Sequence, residues 1–316
     1  MKSYTDIDGN FVEQFQTTAF DARLWELYLY GYFREEAFII ERPNPAPDFL
    51  LQSGTQKIFI EAVTVNPSPG DPIPGPIVGM PNLRGSEEKE ELLSSKMPIK
   101  FGSTLYSKLS RKNKYWELPH VKGFPFVFAI ADFHENQSMV WSSSALYKYL
   151  YGVSHDFYYD ESGELIISPL KIETHEFNGK IIPSGFFFQP DAENVSAILT
   201  SSSGTISKFN RMGFLAGFGR DEVIKIIYFG ERHDHDPNAS LPLKFVIDIS
   251  EDEYTENWAD GISMFHNPNA IHPIDEELFP QIAHHKFVNG QIVSSIPDFF
   301  PHSSMTIVLS QEASKK

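Results

Sequence analysis

The sequence predicts an α/β protein, a mixed sheet flanked by helices over residues 1–139 followed by a mixed α+β elaboration over residues 140–316. Three observations carry this. Phe20–Phe33 has helical apolar spacing, residues 48–52 and 57–65 have strand character around a polar turn, and Gly123–Ala131 is a continuous apolar run of strand length. A helix, a hairpin, a second helix and a doubly buried strand in that order make the crossover unit of a mixed sheet.

The first helix, Phe20–Phe33, is entered through Thr17 and Thr18 and meets no breaker before Gly31. Its stripe of Phe20, Leu24, Leu27 and Tyr28 suits packing on a sheet, and Glu26 falls near that interface, where an isolated charge is costly. A carboxylate there calls for a partner, either a site in the fold or simple pairing with Arg23 or Tyr30. Next come Asp48-Phe-Leu-Leu-Gln52 and Lys57-Ile-Phe-Ile-Glu61-Ala-Val-Thr-Val65 around Ser53-Gly-Thr-Gln56. If Gln52 pairs with Lys57, Asp48 lies directly opposite Glu61 on one face, with Cβ atoms roughly 4.5–5.5 Å apart. A one-residue slip would send one carboxylate to the other face. In the predicted register two like charges destabilise the sheet and raise one carboxyl pKa unless a cation such as Mg²⁺ lies between them.

Residues 66–82 are rich in proline and glycine and predict an irregular loop, either a lid or specificity loop over the carboxylates or a surface insertion. Ser86–Ser95 predicts a short acidic helix capped by Ser86. After Pro98, Phe101–Trp116 predicts a helix with Leu105, Lys108, Leu109, Lys112 and Tyr115 on one side, so that Lys108 and Lys112 together face the carboxylates. The alternative is a solvated basic helix.

The second half carries a helix at Trp141–Leu150, a hairpin of 195–200 with 205–209, and strands at 223–229 and 243–249 that could extend the first sheet. Gly213, Gly217 and Gly219 lack a following Gly-Lys-Ser/Thr and are turns, and no Gly-x-Ser-x-Gly elbow is present. Glu231-Arg-His-Asp-His-Asp-Pro237 is the rival metal-ligand cluster, with His233 and His235 two apart. The pair His284-His285 and the segment 265–270 are assigned to surface and turn.

At 316 residues and 41% hydrophobic content the chain can bury an extensive core. The absence of cysteine excludes disulfides, thiolate zinc sites and cysteine nucleophiles, leaving carboxylate and imidazole chemistry. A formal net charge of −16 opposes general electrostatic coating of nucleic acid. Any such contact is local, and Lys96, Lys100, Lys108, Arg111, Lys112, Lys114 and Lys122 form a basic island against the single acid Glu117. No stretch reaches transmembrane length and the N-terminus lacks a secretory h-region, so no membrane partner and a cytoplasmic location are expected.

A Glu-bearing helix, Pro47-Asp48 opening one strand and Glu61-Ala-Val63 on the next resemble the PD-(D/E)XK nuclease superfamily over about the first 130 residues. The resemblance implies a restriction-endonuclease-like core hydrolysing DNA phosphodiester bonds, with RNA left open as substrate. It implies Mg²⁺, with Mn²⁺ as substitute, on Asp48, Glu61, the carbonyl of Ala62 and the accessory Glu26. It also implies a role in bacterial restriction or antiphage defence and a homodimer or an activating protein partner. Val63 stands where the family has its catalytic Lys, so the cation is expected from Lys108 and Lys112. The spacing Arg111-x-x-x-Tyr115 is similar to the Gln-x-x-x-Tyr helix of some branches, which makes Arg111, Lys114 and Tyr115 candidate substrate contacts. Two alternatives stay open: an inactive nuclease-like binding or sensing module in a larger complex, and a histidine-metal hydrolase built on His233 and His235.

Overall fold

The structure, a computed structural model, describes residues 11–310 apart from 18, 73, 75–85, 137, 220–222 and 252. Most of the proline-rich loop, and with it the expected lid, lies outside the described residues. The chain opens with helices α1 (Phe11–Phe15) and α2 (Phe20–Glu35), then strands β1 (Ile39–Glu41), β2 (Phe49–Ser53) and β3 (Gln56–Val65). Helix α3 (Ser86–Glu91) passes through a π-turn at Leu92–Lys96 into α4 (Met97–Leu109), followed by β4 (Phe126–Asp132) and α5 (Ser138–Tyr151). Two small hairpins come next, β5 (Val153–Tyr159) with β6 (Leu165–Lys171) and β7 (Thr174–Phe177) with β8 (Lys180–Pro183). The chain ends with β9 (Ala197–Ser201), α6 (Ile206–Leu215), β10 (Val223–Arg232), β11 (Leu243–Asp248), β12 (Ile262–His266), β13 (Ala283–Val288), β14 (Gln291–Ser295) and β15 (Pro301–Ser310).

The protein is mixed α/β. Its main sheet has eight strands in the order β1-β2-β3-β4-β9-β12-β13-β14, so strands from both halves of the chain share it. Pairing is antiparallel from β1 to β3, parallel across β3-β4-β9, antiparallel at β9-β12, parallel at β12-β13 and antiparallel at β13-β14. Strand alternation divides the core into two layers. Leu50, Phe59, Val63, Phe126 and Phe128 pack against Phe101, Leu105 and Leu109 of α4 and Leu146 of α5. Phe49, Ile58, Ile60, Val127 and Ala129 pack against Trp25, Tyr28, Leu29 and Phe33 of α2 on the opposite face.

Several sequence expectations are corrected. Helix α2 runs two residues beyond the expected Phe33, to Glu35, and Gly31 inside it packs against the Trp258 ring, which would lie 3.1 Å from an added methyl. Pro98 does not break the chain either: the π-turn at Leu92–Lys96 leads the helix past it, and the Ser94 carbonyl, four residues earlier, accepts from His175 Nδ1 at 2.7 Å instead. Residues 205–209 form the start of α6 rather than a hairpin strand, since helical spacing brings Lys208 and Arg211 onto the same buried carboxylate, Glu256. Strands β10 and β11 do not extend the first sheet: they join β15 in a separate three-stranded sheet around Ile226, Tyr228 and Phe245.

Candidate functional site

The β2–β3 hairpin has the expected register, from Gln52↔Lys57 to Phe49↔Ile60, and Gly54 takes φ +58° in its turn. The paired ladder ends at Phe49↔Ile60, and the same register continued one residue sets Asp48 opposite Glu61, on the face that carries Leu50 and Val63 beneath α4. Asp48 Oδ2 accepts a hydrogen bond of 2.8 Å from the Ala62 N–H. Phe59 N donates to Pro125 O in the direction of β4, so alternation turns the backbone of even residues, Ala62 included, toward the β2 side. The N–H and C=O of a strand residue point the same way, which gives the Ala62 carbonyl the same orientation as its N–H.

Two carboxylates beside each other in a half-buried position repel. Burial, then Glu61, then Glu26 push the Asp48 carboxyl up to about 7, against the opposing pull of the Ala62 N–H and Arg42. Arg42 holds this corner together: its Nε donates to the Asp48 carbonyl at 2.8 Å, while Nη2 lies 3.8 Å from Asp48 Oδ1 and 3.4 Å from Glu26 Oε2.

Glu26 reaches this corner from α2, which packs on the other face of the sheet. Arg23 Nη1 donates to both Glu26 oxygens at 2.8 Å. The pairing with Arg23 considered from sequence is therefore present, although at a buried position rather than on the surface. With Arg23 and Arg42 both on its carboxylate, Glu26 holds Arg42 beside Asp48.

Lys108 brings a cation to Glu61. Its Nζ donates to Glu61 Oε1 at 3.0 Å and lies 3.3 Å from the Tyr115 hydroxyl, whose own bond to Glu61 Oε1 is 2.5 Å. Val63 is buried in the core beneath α4. Lys112 is not on this face: α4 ends at Leu109, so residue 112 falls on an exposed bend, and the expected Lys108–Lys112 pair is corrected to Lys108 alone. The same early end removes the helical Arg111-x-x-x-Tyr115 spacing. Tyr115 opens a 3₁₀ turn, its ring 4.1 Å under the Arg111 guanidinium. Lys114 turns away to the Leu109 carbonyl and to Asp191 Oδ2.

Much of the basic island is internally neutralised, with Lys96 on Glu135, Lys100 on Asp71, Lys108 on Glu61 and Lys114 on Asp191. Sequence reasoning missed Arg42 as the organiser of Asp48. The signal available was an arginine one strand upstream of Asp48, which becomes informative only once β1 is paired with β2.

The donor set of Asp48, Glu61 and the Ala62 carbonyl is all oxygen, the set a hard divalent cation such as Mg²⁺ takes. A cation there would offset the burial and the acidic neighbours that push the Asp48 carboxyl up. In the second half, His233 and His235 have ring centroids 4.7 Å apart. Among the described residues, however, three metal-type donors converge elsewhere, at His266, Glu276 and His284. His284 is buried and paired into the sheet, which corrects its assignment to the surface. No helix among the described residues is long and apolar enough to cross a membrane. No family model, curated protein or solved structure matches the chain, and the chemistry of the site is read from its own residues.

Proposed function

We propose that the protein is a metal-dependent phosphodiesterase of the PD-(D/E)XK type acting on DNA. The observation that supports this reading best is the convergence of Asp48, Glu61 and Lys108 at the open end of the β2–β3 hairpin, with Asp48 pushed up to about 7 by burial and by its acidic neighbours. A bound Mg²⁺ on Asp48, Glu61 and the Ala62 carbonyl would polarise a scissile phosphate and lower the pKa of an attacking water.

The chain's own groups divide the remaining work. Arg42, anchored by Glu26, fixes the backbone and carboxylate of Asp48. Tyr115 and Lys108 fix one oxygen of Glu61, leaving the other for a ligand. Lys108, 32% exposed, has room to turn its ammonium toward the negative charge that develops on a phosphate. Arg111 on the Tyr115 ring and the exposed Lys112 and Lys122 are the nearby cations for a phosphate backbone.

One observation favours the second reading, an inactive binding module: Glu61 Oε1 already receives two donors and is well satisfied without a cation. The experiment that separates the readings incubates wild type and Asp48→Ala with linear and circular DNA in Mg²⁺, Mn²⁺ or EDTA. Metal-dependent cutting that disappears in Asp48→Ala is the expected result. No cutting by either protein, with no rise of the wild-type Tm in Mg²⁺, would leave the binding module in its place.

A further inference from the structure

The parallel strands β12 and β13 are joined by residues 267–282, a crossover that contains only a single 3₁₀ turn, Glu276–Leu278. Parallel neighbours are usually joined by a helix that packs on the sheet and covers it. Here the crossover packs Ile274, Phe279 and Ile282 into the core layer shared with α2, and polar side chains tie it as well. Met264 pairs with His284, which brings His266, two residues further along β12, beside it: His266 Nε2 lies 2.9 Å from His284 Nδ1. Glu276, at the head of the 3₁₀ turn, brings a carboxylate oxygen to the same point, and the three donor atoms all lie within 4.8 Å of one another.

We propose that His266 Nε2, His284 Nδ1 and Glu276 bind a divalent transition ion of the Zn²⁺ class, which pins the 267–282 crossover to β12 and β13.

The hydrogen bonding around His284 suits a ligand: His266 Nε2 here donates to His284 Nδ1, and binding an ion at that point needs only that His266 carry its hydrogen on Nδ1 instead. His284 Nε2 lies 2.9 Å from the Phe279 carbonyl, which can only accept, so Nε2 carries the hydrogen and Nδ1 presents its lone pair to the cluster. A backbone carbonyl holding the far ring nitrogen is the usual support of a metal-ligating histidine, because it fixes both tautomer and ring orientation. The space also matches. Two nitrogens bound tetrahedrally at about 2.05 Å are about 3.3 Å apart, so an opening of about half an ångström from the present 2.9 Å admits the ion. Lys286 Nζ, 2.7 Å from Glu276 Oε2, then supports the carboxylate through one oxygen and leaves the other for the metal.

The donor set decides the class of ion. Two imidazoles and one carboxylate suit Zn²⁺ and its neighbours in the first transition row, whereas Mg²⁺ takes oxygen donors. Three protein donors leave a fourth position for water. The site is therefore chemically distinct from the all-oxygen set at Asp48 and Glu61, and it stands whether or not that set cuts DNA.

The test is a titration of chelator-stripped full-length protein with Co²⁺, followed by its visible absorption and by displacement with Zn²⁺. The expected result is one equivalent that produces the intense visible band in wild type and Asp48→Asn alike, while Co²⁺ taken up by the all-oxygen set adds little to the band and is lost in Asp48→Asn. Glu276→Gln, altered on an exposed turn where folding is not at risk, should weaken binding about 100-fold, and His266→Ala at least as much. Losing an outer hydrogen-bond partner alone costs about 10–100-fold. Absence of a Co²⁺ band in wild type, loss of the band in Asp48→Asn, or less than a tenfold change in Glu276→Gln would each overturn the proposal.

Discussion

Glu256, buried, and Asp48, half-buried, are both carboxylates beside cations, and they settle their electrostatics in opposite ways. Glu256 receives three hydrogen bonds from Arg211, at 2.6–3.1 Å, and an ammonium contact of 2.8 Å from Lys208. Arg211 in turn stacks 3.9 Å over Tyr228 and donates to Thr306. Burial alone would raise the Glu256 pKa, but Arg211 and Lys208 outweigh it and hold the carboxyl below its usual range. Asp48 has one backbone N–H and an arginine at 3.8 Å, with two other acids nearby, and its carboxyl is pushed up instead. The first arrangement is complete without a ligand. The second leaves Asp48 short of positive charge, and that shortage is what the proposed metal would meet.

The largest effect should come from breaking the complete arrangement. Glu256→Ala leaves Arg211 buried without its carboxylate and Lys208 with only Asp260, at 3.6 Å, as counter-charge, and removing one partner of a buried pair costs about 3–5 kcal/mol. Urea denaturation should show that loss, with α6 and the three-stranded sheet exchanging amide hydrogens faster. A change under 1 kcal/mol would mean that water reaches the cluster and that its burial is not what holds Glu256 ionised.

The pH dependence separates the two places by sign. Glu256, with a folded pKa below its usual 4.5, stabilises the fold above that value and loses the contribution as pH falls through the folded pKa. Asp48 does the reverse. Its folded pKa of about 7 against 3.8 means its favourable contribution is full below pH 3.8 and lost as pH rises through 7. About three units at ~1.36 kcal/mol each set an upper bound of roughly 4 kcal/mol. Metal-free wild type should therefore lose stability relative to Asp48→Asn between pH 4 and 7, and Mg²⁺ should restore it increasingly as pH rises. Parallel stability curves for the two proteins would show that Asp48 is not under strain.

The third effect concerns rate rather than stability. Lys108→Met should leave Mg²⁺ affinity within a few-fold and lower DNA cleavage about 10²–10³-fold, the range found when one positioned donor to transition-state charge is removed. Equal cleavage by wild type and Lys108→Met would assign the role of the missing lysine to another group.

How much of this was legible in the sequence depends on how local the determining forces are. The β2–β3 register was legible because a short turn fixes the pairing, and that alone brings Asp48 and Glu61 together. The second helix was legible as an element but not in extent: its spacing runs on to Tyr115, yet the helix stops at Leu109, and only the stacking of Arg111 on Tyr115 and the bond from Tyr115 to Glu61 show what the following turn gains. Residues 205–209 have strand-like composition and become helix because Glu256, far along the chain, recruits Lys208 and Arg211. The meeting of His266 with His284 depends on the parallel pairing of β12 and β13, which no local pattern announces.

The smallest expected effect is also the one that discriminates roles most finely. Sequence spacing made Tyr115 a substrate contact, whereas the structure gives its hydroxyl to Glu61 at 2.5 Å. A positioning role predicts that Tyr115→Phe lowers kcat about tenfold, at the low end of the ~1.5–3 kcal/mol for a hydrogen bond to a charged group, because Lys108 still holds Glu61. KM for DNA should stay unchanged; a substrate contact would raise KM instead. Burial and Glu61 push the Tyr115 hydroxyl well above its usual 10, so it stays protonated through the working range. The alkaline limb of the pH–rate profile should therefore coincide in wild type and Tyr115→Phe. A limb present in wild type and missing from Tyr115→Phe would mean that the tyrosine itself gives up a proton during the reaction and is more than a brace for Glu61.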